Sequence, residues 1–218
     1  MEKEFWITRW TQQEIGFHLP EVNPHLLQHW TALSPHPQHH VFVPLCGKSR
    51  DMVWLRERGC TVLGVEFSDL AVAAFFAENG HTPQAIPHPA FDSHEADGIR
   101  LLCGDFFDLT PDDVADVTVV YDRASMVALP PDMRARYAQH LIHILPAGAQ
   151  ILLVTFDYPQ AAMSGPPFAV SPDEVLTHYR EHAEVTLLAQ QDVLAQNPRF
   201  QQRGIDRLFE HIFLIQKH

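Results

Sequence analysis

Residues 41–67, VFVPLCGKSRDMVWLRERGCTVLGVEF, decide the fold of this chain. The run VFVPL at 41–45 is apolar and β-branched. The turn Gly47-Lys48-Ser49 then hands the chain to a helical stretch, DMVWLRERG, closed by Gly59. TVLGVEF at 61–67 reads as a second buried strand. Ser68 is placed to cap the apolar helix DLAVAAFFAEN, which Gly80 stops. Two successive strand-helix units predict a parallel sheet with right-handed crossovers.

Working outward, IRLLC at 99–103, VTVVYD at 117–122 and AQILLVTFD at 149–157 continue the strand pattern, with a helix from Pro131 to Leu145. Residues 81–98 are rich in Pro and His and carry no period, so they read as a long loop or weak hairpin across one edge. After Asp157, a Gly-Pro-Pro loop at 165–167 leads into the short helix PDEVLTHYR and two apolar runs, EVTLLAQQ and RLFEHIFLIQ. No crossover helix separates these runs, so they are predicted to pair as an antiparallel hairpin at the sheet edge. The first 33 residues form an added helical segment holding Trp6, Trp10 and Trp30. A length of 218 residues suits one domain, 1–218, with residues 1–33 as a helical lid segment within it.

Composition narrows the partners. A formal net charge of −12 disfavours nucleic acid and anionic membranes, which need a basic surface, so a small molecule is the expected partner. No stretch approaches the roughly 20 consecutive apolar residues of a membrane span. The N-terminus, MEKEFWITRW, is acidic where a signal peptide is basic, which predicts a cytoplasmic protein. Cys46, Cys60 and Cys103 lie in or beside strand-like runs, where free thiols act as small hydrophobes. His39, His40, His81, His88 and His94 show no metal-ligand spacing, and no metal is expected. No long apolar helix face is left over after the core is assigned, which suggests a monomer.

An open parallel sheet binds its ligand at the carboxyl ends of the strands. Glu66 stands there, 19 residues beyond Gly47, about the offset at which a carboxylate reaches the two hydroxyls of an adenosine ribose. Two charge-assisted hydrogen bonds from such a diol are worth roughly 1.5 to 3 kcal/mol each. The plainer alternative is a strand-end Glu that caps the next helix. A P-loop would need a Gly where this chain has Phe42, and a dinucleotide fingerprint needs more glycines than PLCGKSRD offers. S-adenosyl-L-methionine, an adenosine cofactor without phosphates, fits the turn. Asp105 follows the third strand, where it can accept from an adenine amino group while Phe106 packs on the ring; both also read as ordinary loop residues.

The ordered set WITRW, IGFH, VFVPLCGKSRDM, GVEFS, CGDFFDL, YDRASMVAL, GPPFAV and GIDRLFEHIFLI resembles the thiopurine S-methyltransferase family in its bacterial form, and the likeness spans the whole chain. The PLCGK turn, which replaces the more glycine-rich loop of most class I methyltransferases, is particularly telling. The resemblance implies a doubly wound α/β fold with a seven-stranded, mostly parallel sheet in the order 3-2-1-4-5-7-6. It implies methyl transfer from S-adenosyl-L-methionine to a small aromatic or heterocyclic thiol, leaving S-adenosyl-L-homocysteine, and makes selenium and tellurium compounds further acceptors. It assigns the cofactor to Trp10, Leu45, Gly47, Glu66, Asp105, Phe106 and Arg123. It brings Phe17, the loop of Gly165, Pro166, Pro167 and Phe168, Arg123 and an arginine before the last strand to the acceptor. Arg199 is the aligned choice for that arginine, with Arg203 as rival.

Methyl transfer from a sulfonium is an in-line displacement, so the protein mainly supplies alignment and a dry site. A guanidinium favours the thiolate, the competent nucleophile, which gives Arg123 and Arg199 a part in activating the acceptor. Asp122 can take a thiol proton, directly or through water, or else form a structural ion pair with Arg123. Trp10 can face the cationic sulfonium. Two other classes remain at this point, an oxidoreductase with an adenosine cofactor and a non-catalytic sensor of S-adenosylmethionine.

Overall fold

The computed structural model describes residues 3–34 and 38–218, without the side chain of Lys3. An N-terminal segment carries α1 (Lys3–Thr11) and α2 (Pro24–His29). The Asn23 side chain caps α2 by accepting from His25 N at 2.9 Å. The sheet then builds through β1 (His40–Val43), α3 (Asp51–Glu57), β2 (Thr61–Glu66) and α4 (Asp69–Glu78). Ser68 Oγ accepts from Ala71 N at the start of α4, the expected cap. There follow β3 (Gln84–Ile86), β4 (Asp92–Ala96), β5 (Ile99–Cys103), β6 (Val119–Arg123), α5 (Pro131–Ile144) and β7 (Gln150–Asp157). The chain ends through α6 (Pro172–Tyr179), β8 (Ala183–Asp192), the short α7 (Pro198–Gln201) and β9 (Phe209–Lys217).

The sheet has nine strands rather than seven, in the order β3-β4-β5-β2-β1-β6-β7-β9-β8. The additional pair is β3 and β4, an antiparallel hairpin from the stretch 81–98 that continues onto β5. Asp97 (φ +48°) and Gly98 (φ +73°) make the two-residue turn between β4 and β5. Two left-handed residues in succession match the right-handed twist of the strands they join. β5, β2, β1, β6 and β7 run parallel, while β9 lies antiparallel between β7 and β8. The crossover from β5 to β6 carries two short 3-10 turns, 106–108 and 111–114.

Side-chain alternation divides the core in two. Phe42, Val120 and Leu153 face one layer, with Phe106, Tyr137 and Leu141 packed on them. Val41, Val43 and Tyr121 face the other, under Leu26, Met52, Leu55 and Phe75. A third cluster, Tyr158, Met163, Val193, Ile205 and Leu208, joins the loop after β7 to the loop before β9. The three cysteines are free thiols. Among the described residues no helix is long and apolar enough to cross a membrane.

Candidate active site

The carboxyl ends of β1, β2 and β6 meet at turns with strained backbone. Leu45 (φ +45°) and Gly47 (φ +52°) follow β1, and Ala124 (φ +73°) follows β6. A side chain in this region costs roughly 1 to 2 kcal/mol, and such strain persists only where neighbours impose it. Here the neighbours are explicit. Glu66 Oε2 accepts from Gly47 N and Oε1 from Ser68 N, both at 2.9 Å. Ser125 Oγ donates to the Pro44 carbonyl at 2.9 Å, tying the β6 turn to the β1 turn. Glu66 is only 5% exposed, and burial, partly offset by these backbone donors, raises its carboxyl to about 7. The bond to Ser68 N is the helix-start contact of the plainer reading, and the bond to Gly47 N shapes the ligand turn. Each oxygen retains a second lone pair.

The N-terminal segment lies on this turn. The Trp10 ring comes within 3.1 Å of where a Cβ on Gly47 would stand, so a side chain there would press on the indole as well as strain the turn. Phe17 packs edge-on against Trp10 (5.6 Å between ring centres) and Trp6 (5.4 Å). The Phe17 carbonyl accepts from Arg123 Nη1 at 3.2 Å. Arg199 Nη1 lies 2.9 Å from the position of a Cβ on Gly16, one residue before Phe17. Arg203 is committed elsewhere, donating to Met163 Sδ at 3.0 Å. Trp10, Phe17, Gly47, Glu66, Arg123 and Arg199 are therefore linked by a continuous run of contacts, although they are far apart in sequence.

The loop at 165–168 is anchored beside them. Tyr158 donates its hydroxyl to the Pro167 carbonyl at 2.6 Å, and Phe168 N donates to the Val127 carbonyl at 2.6 Å, just past the β6 turn. The Phe168 ring folds back over Gly165, whose φ of +75° and close approach to that ring leave room only for glycine. The Arg134 guanidinium lies 6.0 Å from the same ring.

Two expectations are corrected. Asp122 is 0% exposed and points to the opposite face of β6 from Arg123, where it accepts from Tyr137 Oη at 2.6 Å. It neither faces the acceptor nor pairs with Arg123; burial raises its carboxyl to about 6. The Phe106 ring, 3% exposed, is packed between Phe42 and Tyr137 and has no face left for an adenine. The Asp105 carboxyl, by contrast, is exposed; it accepts from Phe107 N at 2.9 Å and is open to a further donor.

Two features were not singled out from the sequence. Arg123 Nη2 stands 3.8 Å from Asp51 Oδ2 at the start of α3. His18, beside Phe17, is held below its ordinary 6.5, first by burial and then by Lys48, with Arg123 and Arg50 adding to the effect against Glu78.

A family model described as Thiopurine S-methyltransferase (TPMT) matches residues 1–218. A thiopurine S-methyltransferase of Nitrosospira multiformis is 61% identical over 215 residues, covering 99% of this chain and 98% of the relative. One from Pseudomonas fluorescens is 48% identical, covering 99% of each. Among solved structures, a SAM-dependent methyltransferase from Methanosarcina mazei superposes with a TM-score of 0.63 at 11% identity, covering 90% of this chain and 98% of that one. This last likeness concerns the fold.

Proposed function

The chain belongs to the thiopurine S-methyltransferase family, and from that premise we propose that the crevice between Glu66, Arg123 and the N-terminal segment methylates small aromatic or heterocyclic thiols. It is an S-adenosylmethionine-dependent methyltransferase. The observation that carries the cofactor's placement is the buried Glu66 carboxylate bonded to Gly47 N, an acceptor group set directly beneath a turn with no phosphate cradle. That donor and acceptor set fits an adenosine whose ribose hydroxyls donate to Glu66. Trp10, the Leu45–Gly47 turn, the Asp105–Phe106 turn and the main chain at Arg123 complete the set of residues that would hold the cofactor.

S-adenosylmethionine supplies, when bound, a methyl group already activated on a sulfonium. The chain's own residues then have two tasks. Trp10 and Phe17 cover the turn and keep water from the reacting atoms. Arg123 and Arg199 favour an acceptor that arrives as an anion, so the thiol loses its proton to solvent rather than to Asp122. Held by Glu66, Trp10 and the Leu45–Gly47 turn, the cofactor would supply its methyl group to the thiolate sulfur, and both products would be neutral thioethers. Phe168 and the two prolines before it give an aromatic acceptor an apolar wall. Selenols fit the same scheme, since they are anionic at neutral pH, and we include them as acceptors. We also take the enzyme to act as a monomer in the cytoplasm.

Calorimetric titration with S-adenosylhomocysteine and with NAD, followed by transfer of a labelled methyl group to a panel of aromatic thiols, tests the proposal. Binding of the first ligand alone and labelled thioether product are expected. Tight binding of S-adenosylhomocysteine with no turnover on any thiol, selenol or phenol would leave a sensor instead.

Residues 3–20 rest on the crevice chiefly through Trp10, Phe17 and the Arg123 contact, which makes them the natural lid. Their amides are expected to exchange with solvent quickly in the free protein and to gain at least about tenfold protection with S-adenosylhomocysteine bound. Exchange indifferent to the ligand, measured by mass spectrometry, would remove the lid.

A further inference from the structure

We propose that Asp51 is a positioning residue for methyl transfer, holding the Arg123 guanidinium and the N-terminal segment in a single arrangement at the acceptor side of the site. An aspartate in the first turn of a helix ordinarily faces water, where it complements the helix dipole. Asp51 is instead 1% exposed, with its side-chain partners outside its own helix. Its Oδ1 accepts from Asn23 N at 2.8 Å, and its Oδ2 stands 3.8 Å from Arg123 Nη2. Asn23 in turn caps α2, and Arg123 Nη1 holds the Phe17 carbonyl. The Asp51–Arg123 pair therefore grips both ends of the segment from Phe17 to Asn23.

Strand alternation supplies the third member. Tyr121 lies two residues before Arg123 on the same face of β6, with its hydroxyl buried beside both charged groups. Burial first, and then the Asp51 carboxylate, hold that hydroxyl well above its ordinary 10, so it remains an O–H. Arg123 Nε has no partner among the described residues and is shut off from water. At 3.8 Å the Asp51 contact is an ion pair without a close hydrogen bond, so its contribution is orientation by charge. An amide in place of the carboxylate keeps the contact to Asn23 and loses that contribution.

The inference rests on the proposed placement of Arg123 beside the acceptor. A double-mutant cycle of Asp51→Asn with Arg123→Ala tests both separately. The readouts are the affinity of an aromatic thiol for the S-adenosylhomocysteine complex, kcat/KM for that thiol, and S-adenosylhomocysteine affinity alone. Asp51→Asn is expected to lower the first two about tenfold and the third by less than about twofold, and to have no further effect once Arg123 is Ala. Equal losses in both backgrounds, or a loss confined to S-adenosylhomocysteine, would overturn the role of Asp51. Thiol affinity indifferent to Arg123→Ala would overturn the placement of Arg123 and the inference with it. If the Asn variant does not fold, Asp51→Glu keeps the charge and enters the same cycle, with an expected loss of about threefold that also vanishes in the Arg123→Ala background.

Discussion

Replacing Glu66 with Ala is expected to weaken S-adenosylhomocysteine binding by about 2 to 4 kcal/mol, the loss of two charge-assisted hydrogen bonds from a ribose diol. Part of that loss comes through the turn itself, because Gly47 N and Ser68 N both depend on this carboxylate. Glu66→Gln separates the two effects, since its amide retains one acceptor oxygen. The charge makes the test sharper. Burial raises the folded carboxyl from 4.5 to about 7, so between those pH values the folded protein holds a proton that the unfolded chain has released. Stability of the ligand-free protein therefore falls as pH rises through this window, by about 3 kcal/mol in all. Hydroxyl donors favour the charged form, so ligand binding should expel the proton below pH 7. Affinity for S-adenosylhomocysteine should then decline as pH falls below about 7, by up to about tenfold per unit. Calorimetry in buffers of different ionisation heat measures this directly. Asp122 titrates in part of the same window but lies buried on the far face of β6, so the difference between wild type and Glu66→Gln isolates Glu66. A pH profile unchanged by Glu66→Gln would separate the ribose from this residue.

The parallel core was legible because each of its strands is a short apolar run stopped by Gly, Ser or Asp, and because the caps at Ser68 and Gly80 mark where α4 starts and stops. β3 and β4 were less so. β4 reads DSHEA and has no apolar alternation; it exists because the edge of β5 needs hydrogen-bond partners. The available signal was the Asp97-Gly98 dipeptide, the turn pair most favourable to a tight hairpin. At the site, Glu66 followed from its place at a strand end, whereas Arg123 came only with the family resemblance. Asp122 and Phe106 were given the wrong surroundings for one shared reason, that side-chain direction was not followed. In β6, Tyr121 and Arg123 must share a face, so Asp122 must point to the other. Asp51 escaped notice because an acid in a first helical turn already has an explanation, and because its partners, Asn23 and Arg123, are far from it in sequence.

Arg199→Ala is expected to lower kcat/KM for aromatic thiols by about one to two orders of magnitude, as loss of a guanidinium that stabilises the attacking thiolate. The geometry distinguishes this arginine from its rival. Arg199 reaches Gly16, beside Phe17, whereas Arg203 donates to Met163 Sδ in the cluster under the loop after β7. Two thiols of different acidity separate activation from binding. If the guanidinium stabilises the thiolate, the less acidic thiol should lose more, because it depends more on the protein to be charged at neutral pH. Arg199→Lys restores the charge and should recover part of that difference, without any orientation that needs a planar, two-pronged donor. Equal losses for both thiols in both variants would indicate lost positioning alone. Arg203→Ala is the companion measurement: it should leave the acidity dependence intact and lower stability slightly, and a larger kinetic effect there than at Arg199 would reverse the assignment. S-adenosylhomocysteine affinity is the internal reference. Arg199 is exposed, on α7 in the loop before β9, and approaches the crevice across Gly16 and Phe17 rather than from the Glu66 side. A large fall in that affinity on Arg199→Ala would therefore place this arginine with the cofactor rather than with the acceptor.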